Sequence, residues 1–122
     1  MELHSFTWAL IFFGITALIG LYMLSRFYRK LPRQNGVMML HGIGAATAIC
    51  ILFYYSAFEL NTDVPYPSIF FFIVAVFGGL FMVFWDKIMN RRMPKYFPLF
   101  HAGAAITGIV LLAIYAFQHS GN

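Results

Sequence analysis

Four long stretches free of Asp, Glu, Lys and Arg divide the chain: Leu3 to Ser25, Gln34 to Phe58, Val64 to Trp85, and Tyr96 to the C-terminus. Each exceeds the roughly 20 residues that an α-helix, rising about 1.5 Å per residue, needs to cross a bilayer core. The pattern predicts helices over about 5–28, 36–58, 68–89 and 97–118. The runs are continuously apolar, without the two-residue alternation of a transmembrane barrel, so the fold class is all-α. Leu31-Pro32 to Gly36 and Met93-Pro94-Lys95 end the first and third helices, because proline removes a backbone donor and disfavours helical geometry in the residue before it. Connections this short make consecutive helices antiparallel neighbours. The expected architecture is an integral membrane four-helix up-down bundle, a single transmembrane domain over 1–122.

Composition agrees with this picture, since 61% of the residues are hydrophobic and 10% are charged. The eight basic residues fall in two clusters, Arg26 to Arg33 and Lys87 to Lys95, both beside the first and third connections. By the positive-inside rule these connections face the cytoplasm and both termini face outside. The first helix ends in its basic cluster and has none in front of it, which reads as a stop at the interface and not as a cleavable leader. Clusters split by apolar helices point to a bilayer and its headgroups as partner, not to nucleic acid. The single Cys50 offers no disulfide framework and no thiolate metal site. Trp and Tyr gather near the predicted interfaces, where such rings anchor a bundle.

The chain repeats itself. His41-Gly-Ile-Gly-Ala-Ala-Thr47 returns as His101-Ala-Gly-Ala-Ala-Ile-Thr107 at an offset of sixty, and Gly20-Leu-Tyr-Met-Leu24 returns as Gly79-Leu-Phe-Met-Val83 at an offset of fifty-nine. The repeating unit is a helical hairpin, about 5–58 and again about 68–118. Each unit crosses twice, so the two tandem hairpins share one orientation and are expected to be related by a pseudo-twofold axis along the membrane normal.

An imidazole inside a membrane is costly to bury and therefore marks a functional candidate. Helical spacing puts His41 on one face with Gly44, Ala45, Ala48 and Leu52, and His101 on one face with Ala104, Ala105, Gly108 and Leu112. These stripes of small residues suit close helix packing, or equally a flat ligand in the space they leave. Gly20 and Gly79 fall at a depth comparable to the histidines. One layer then holds a histidine on helices 2 and 4 and a glycine on helices 1 and 3, the layout that a b-type haem requires, with Arg26, Arg29, Arg91 and Arg92 placed to meet propionates. Two other assignments of the histidines stay open: a hydrogen-bonded or proton-relay pair without cofactor, and non-haem metal or quinone contact. No carboxylate lies deep in any span, which weakens a proton-coupled exporter, and no Ser has the companions of a hydrolase. His4 and His119 fall near the termini and are expected to be interfacial.

In this arrangement the chain resembles the membrane b-type cytochromes, on the strength of His41, His101 and the Gly20/Gly79 pair. The resemblance implies one haem b held by a bis-histidine pair, and electron exchange with a quinol or another membrane redox subunit. It implies an electron carrier or binding subunit more than a stand-alone enzyme, with homo-oligomerisation open. The sequence also resembles small bacterial membrane proteins with repeated Pro…His-Gly hairpins, which implies a bacterial cytoplasmic membrane. Two further functions remain as alternatives: a structural or assembly subunit of a larger membrane complex, and a small transporter or channel.

Overall fold

The computed structural model describes residues 2–58 and 64–118, with the side chains of the first helix from Phe6 onward. Among these residues four α-helices account for nearly all the structure: α1 Glu2–Tyr28, α2 Asn35–Phe58, α3 Tyr66–Met89 and α4 Tyr96–Gln118. All four are long and apolar enough to cross a membrane. The ends of α1 and α3, Tyr28 and Met89, fall at the expected bounds, and α2 and α4 run to the edge of the described residues. The helix starts lie one to three residues earlier than expected, and α3 shows why. Pro67 stands in the first helical turn, where the missing N–H has no intrahelical partner to lose, so a proline there does not delay the helix.

Helix ends are set by backbone chemistry that composition does not reveal. After α1 the amide of Leu31 donates to the carbonyl of Arg26 and the amide of Lys30 to that of Phe27, a Schellman closure. It places Lys30, a residue with a Cβ, at φ 60° in the left-handed region. Helix α3 ends on Asn90 at φ 49°, a residue type that tolerates this conformation better.

Helix α1 packs along α2, α3 along α4, and the hairpins join through α1 on α4. Two ring contacts cross the centre: Phe13 of α1 stacks on Phe72 of α3 at 3.9 Å between centroids, and His41 of α2 faces His101 of α4. Burial follows the repeat. Ala9 and Ser68, Phe13 and Phe72, Thr16 and Ala75, Ala48 and Gly108, and Leu52 and Leu112 are five pairs at offsets of fifty-nine or sixty, and every member is buried. The outer surface is the reverse of a soluble protein's, with Phe58, Phe77, Phe100 and Phe117 largely exposed. For such helices in lipid, cohesion comes from packing contacts more than from removal of apolar surface from water.

The core is uneven along its length. The residues of the hydrophobic core cluster, from Phe6 to Phe13, Ala48, Leu52, Phe72, Leu112 and Ala116, all lie on the side of the histidine layer away from the basic connections. On the other side the helices are held at their ends by polar links. Tyr28 donates its hydroxyl to the Lys95 carbonyl, Arg92 donates to the Phe27 carbonyl, and Arg33 pairs with Asp86. Each of these joins the first hairpin to the second. Asp86 thus takes part in an ion pair with Arg33 of the first connection.

Candidate histidine site

Each histidine is seated by a glycine and a carbonyl on the neighbouring helix. His41 Nδ1 lies 3.0 Å from the carbonyl oxygen of Thr16, and His101 Nδ1 lies 2.7 Å from that of Ala75. Thr16 is four residues before Gly20, and Ala75 is four residues before Gly79. That spacing has a physical reason. A helical carbonyl already accepts from the amide four residues on, and its second lone pair is reached past the side chain there. With glycine at that position the imidazole takes the place of the missing Cβ. A Cβ on Gly20 would stand 2.9 Å from His41 Cε1, and one on Gly79 would stand 3.1 Å from His101 Cε1.

The hydrogen bond also fixes the tautomer. A carbonyl oxygen can only accept, so Nδ1 carries the proton and the Nε2 of each neutral ring keeps its lone pair. The ring centroids are 6.0 Å apart with planes at 67°. A direct Nε2 to Nε2 hydrogen bond needs a proton that neither neutral ring has left to offer. With these tautomers a paired hydrogen bond between the two neutral rings is not available, and each Nε2 keeps a lone pair that can accept a hydrogen bond or bind a metal.

The structure distributes the other candidate residues as follows. Gly20 and Gly79 join the histidine layer, but as seats for imidazole rings; their open faces are taken by Cε1 and Nδ1. Gly44 receives the Thr16 hydroxyl, and Gly108 receives the Phe72 ring. Ala48 is buried, while Ala45, Ala104 and Ala105 are half-buried. The stripes near these contacts therefore serve close packing. Arg26 donates to the Pro32 carbonyl at 2.9 Å and lies over the Tyr22 ring, whereas Arg91 is exposed just beyond the end of α3. His119 and the side chain of His4 lie outside the described residues.

Thr16 and Ala75 escape a reading of side-chain chemistry, because they contribute carbonyls. The signal was available in the repeat: each precedes its glycine by one helical turn on the same face. Thr16 adds a second feature. Thr47 and Thr107 return their hydroxyls to the carbonyls of Ile43 and Gly103, but the Thr16 hydroxyl is buried with no hydrogen-bond partner.

A cleft of about 220 Å³ opens on the α3–α4 seam, lined by Val74, Gly78, Phe81, Met82, Phe97, Phe100 and His101. It is smaller than the roughly 300–1,000 Å³ of ordinary cofactor pockets. Among the described residues no group of three or more His, Cys, Asp or Glu side chains is placed to hold a metal. No protein-family model, no curated protein and no solved structure matches this chain.

Proposed function

We propose that this chain is a small membrane haem b protein that carries electrons, with His41 and His101 as the axial pair. The observation that carries this reading is the anchored pair itself: two rings 6.0 Å apart, each with Nδ1 on a backbone carbonyl. Metal-ligating histidines commonly donate their other N–H in this way, which fixes the ring and raises its basicity. With two protein donors in the layer, the suitable metal is one that brings its remaining ligands along, and haem iron brings four nitrogens. When bound, haem supplies reversible one-electron chemistry at the iron.

The chain's own residues have three tasks in this proposal. His41 and His101 would hold the iron, and Thr16, Ala75, Gly20 and Gly79 hold the rings. The stacked Phe13 and Phe72 close the bundle about 10 Å from the Gly20 and Gly79 level, seven residues along each helix. In the other direction Arg26 is six residues from Gly20, about 9 Å, and stands near the basic connections where propionates would need a cation. The buried core cluster lies on the Phe13 side, which leaves the Arg26 side of the histidine layer as the place this proposal assigns to the flat group. In this proposal the bundle lies in a bacterial cytoplasmic membrane, basic connections inside, its hairpins related by an approximate twofold axis along the membrane normal.

The test is a reduced-minus-oxidised absorption spectrum of protein purified from haem-replete cells. A b-type spectrum that is lost in both His41→Ala and His101→Ala is expected. A colourless, fully helical preparation would reject the proposal. A second reading, a structural subunit of a larger complex, is favoured by the glycine packing at Gly44 and Gly108. It predicts a colourless protein that copurifies with fixed partners.

A further inference from the structure

The basic end of the bundle holds more positive charge than its own acids can meet. Of the eight Lys and Arg residues, Arg33 pairs with Asp86, and Arg26 and Arg92 reach the backbone carbonyls of Pro32 and Phe27. No other carboxylate occurs between Arg26 and Arg33 or between Asp86 and Lys95. Among the described residues the side chains of Arg29, Lys30, Lys87, Arg91 and Lys95 are exposed and make no hydrogen bond or ion pair.

Two links draw these cations together from both hairpins. The Tyr28 hydroxyl donates to the Lys95 carbonyl at 2.7 Å, and Arg92 donates to the Phe27 carbonyl at 2.7 Å with its guanidinium 5.1 Å over the Phe27 ring. Arg29 follows Tyr28 directly, and Lys30 stands next at φ 60°, where the chain turns off the helix. The connection from Arg91 to Lys95 is thereby held to the end of α1 within the length of one tyrosine side chain. That separation is comparable to the roughly 8–10 Å over which charges act on one another at physiological salt, so these cations repel unless an anion joins them. The buried core cluster lies at the other end, so packing does least here to hold the hairpins together.

Depth decides which anion. All four helices are long and apolar enough to cross a bilayer, and their basic ends carry the exposed rings of Tyr28 and Tyr96, the ring type that sits at headgroup level. Lipid phosphates lie in that layer, and Arg and Lys suit phosphate oxygens, Arg through paired N–H donors. We infer that the joined connections bind the headgroup of an anionic phospholipid, with Arg29 and Lys30 supplied by the first hairpin and Arg91 and Lys95 by the second. The lipid bridges the hairpins where the apolar core does not reach. A zwitterionic lipid brings its own cation and leaves the repulsion in place. This site needs a bilayer and no cofactor, so it stands apart from the haem proposal.

Full-length protein in neutral detergent is titrated with phosphatidylglycerol, and bound lipid is counted by native mass spectrometry. Saturable binding of this lipid is expected. Each Lys or Arg near an anionic headgroup contributes about fivefold to affinity, so Arg29→Gln and Lys95→Gln should each weaken binding about fivefold and together about twentyfold. Lys87→Gln removes the same charge from the last turn of α3, outside the linked segments, and should change binding less than about twofold. Tyr28→Phe keeps every charge but releases the Lys95 carbonyl, and should weaken binding about threefold. All four positions are exposed, and circular dichroism of each variant checks that the bundle is intact. Phosphatidylcholine should not saturate, and inorganic phosphate should not displace the lipid. Equal losses in Lys87→Gln and Lys95→Gln, unchanged binding in Tyr28→Phe, or saturable binding of phosphatidylcholine overturns the inference. Displacement by inorganic phosphate assigns the site to a free anion and overturns it as well.

Discussion

Adding one methyl group at Gly20 should damage the protein more than adding the same group at Gly79, although the two glycines occupy equivalent positions of the repeat. In Gly20→Ala the new Cβ stands 2.9 Å from His41 Cε1 and 3.4 Å from Nδ1. Carbon atoms rest comfortably at about 3.5–4.0 Å, so the ring must retreat by roughly 0.6 Å. Its hydrogen bond to Thr16 begins at 3.0 Å and would stretch to about 3.6 Å, beyond useful range. In Gly79→Ala the contact is 3.1 Å and the retreat about 0.4 Å, while the bond to Ala75 begins at 2.7 Å and ends near 3.1 Å, still intact. Overpacking and a lost buried hydrogen bond together cost Gly20→Ala about 2–4 kcal/mol. Better helix propensity returns at most about 1 kcal/mol, leaving a net loss of about 1–3 kcal/mol. Gly79→Ala should lose less than about 1 kcal/mol. Gly14→Ala and Gly42→Ala, where a Cβ meets nothing within 4 Å, are controls that carry the propensity gain alone and should melt at or slightly above wild type. Thermal unfolding in detergent ranks the four variants, and ¹⁵N-histidine NMR follows the Nδ1–H resonances. Gly20→Ala melting with wild type, or Gly79→Ala proving the more damaging, would refute the seat-and-carbonyl account.

Three further outcomes follow from the packing. Gly44→Ala places a Cβ 2.5 Å from the Thr16 hydroxyl and should destabilise by about 1–3 kcal/mol; Thr16→Ala in the same chain should restore most of the loss, measured as a double-mutant cycle of unfolding free energies. Leu52→Ala and Leu112→Ala empty equivalent, fully buried positions and should cost similar amounts, about 2 kcal/mol each, the low end for such truncations because the transfer contribution is small when the reference state is also in lipid. Lys30→Gly relieves a left-handed backbone and should raise stability by up to about 1 kcal/mol in denaturant titrations of the detergent-solubilised protein, with the absorbance and helicity of the bundle unchanged.

Helix number and the ends of α1 and α3 were legible because the spacing of charge and apolar length are one-dimensional properties. Which of the small residues meet which ring was not. The stripe from Gly44 to Ala48 suits a ligand and a packed helix equally well, and the decision depends on the Thr16 side chain of another helix. The facing of His41 and His101 could be expected from the repeat, since both segments start at one depth and face one interior. Their tautomer could not, because it is set by carbonyls, and every residue has one. The cleft was hidden for a similar reason: Gly78 adjoins Gly79 and looks like a second packing glycine until Ile19 is seen in its place in the other hairpin.

The repeat therefore has a double consequence. The features that recur, an imidazole, a carbonyl one turn before a glycine, and that glycine, are those needed to hold a ring at fixed height with Nε2 bare. The features that fail to recur adjoin them: Thr16 against Ala75, Ile19 against Gly78, and Arg26 against Trp85. A symmetrical pair of anchors is thereby set in two unequal environments. The His41 side carries a buried hydroxyl and Ile19, and the His101 side carries a cleft and Gly78. One substitution separates the two environments. Gly78→Ile adds a side chain whose Cβ begins 3.7 Å from His101 Cβ and 3.8 Å from its Nδ1, and it should shift the His101 Nδ1–H resonance while leaving that of His41 in place. Equal shifts at both histidines would mean that Gly78 acts through the fold and not through its contact with His101.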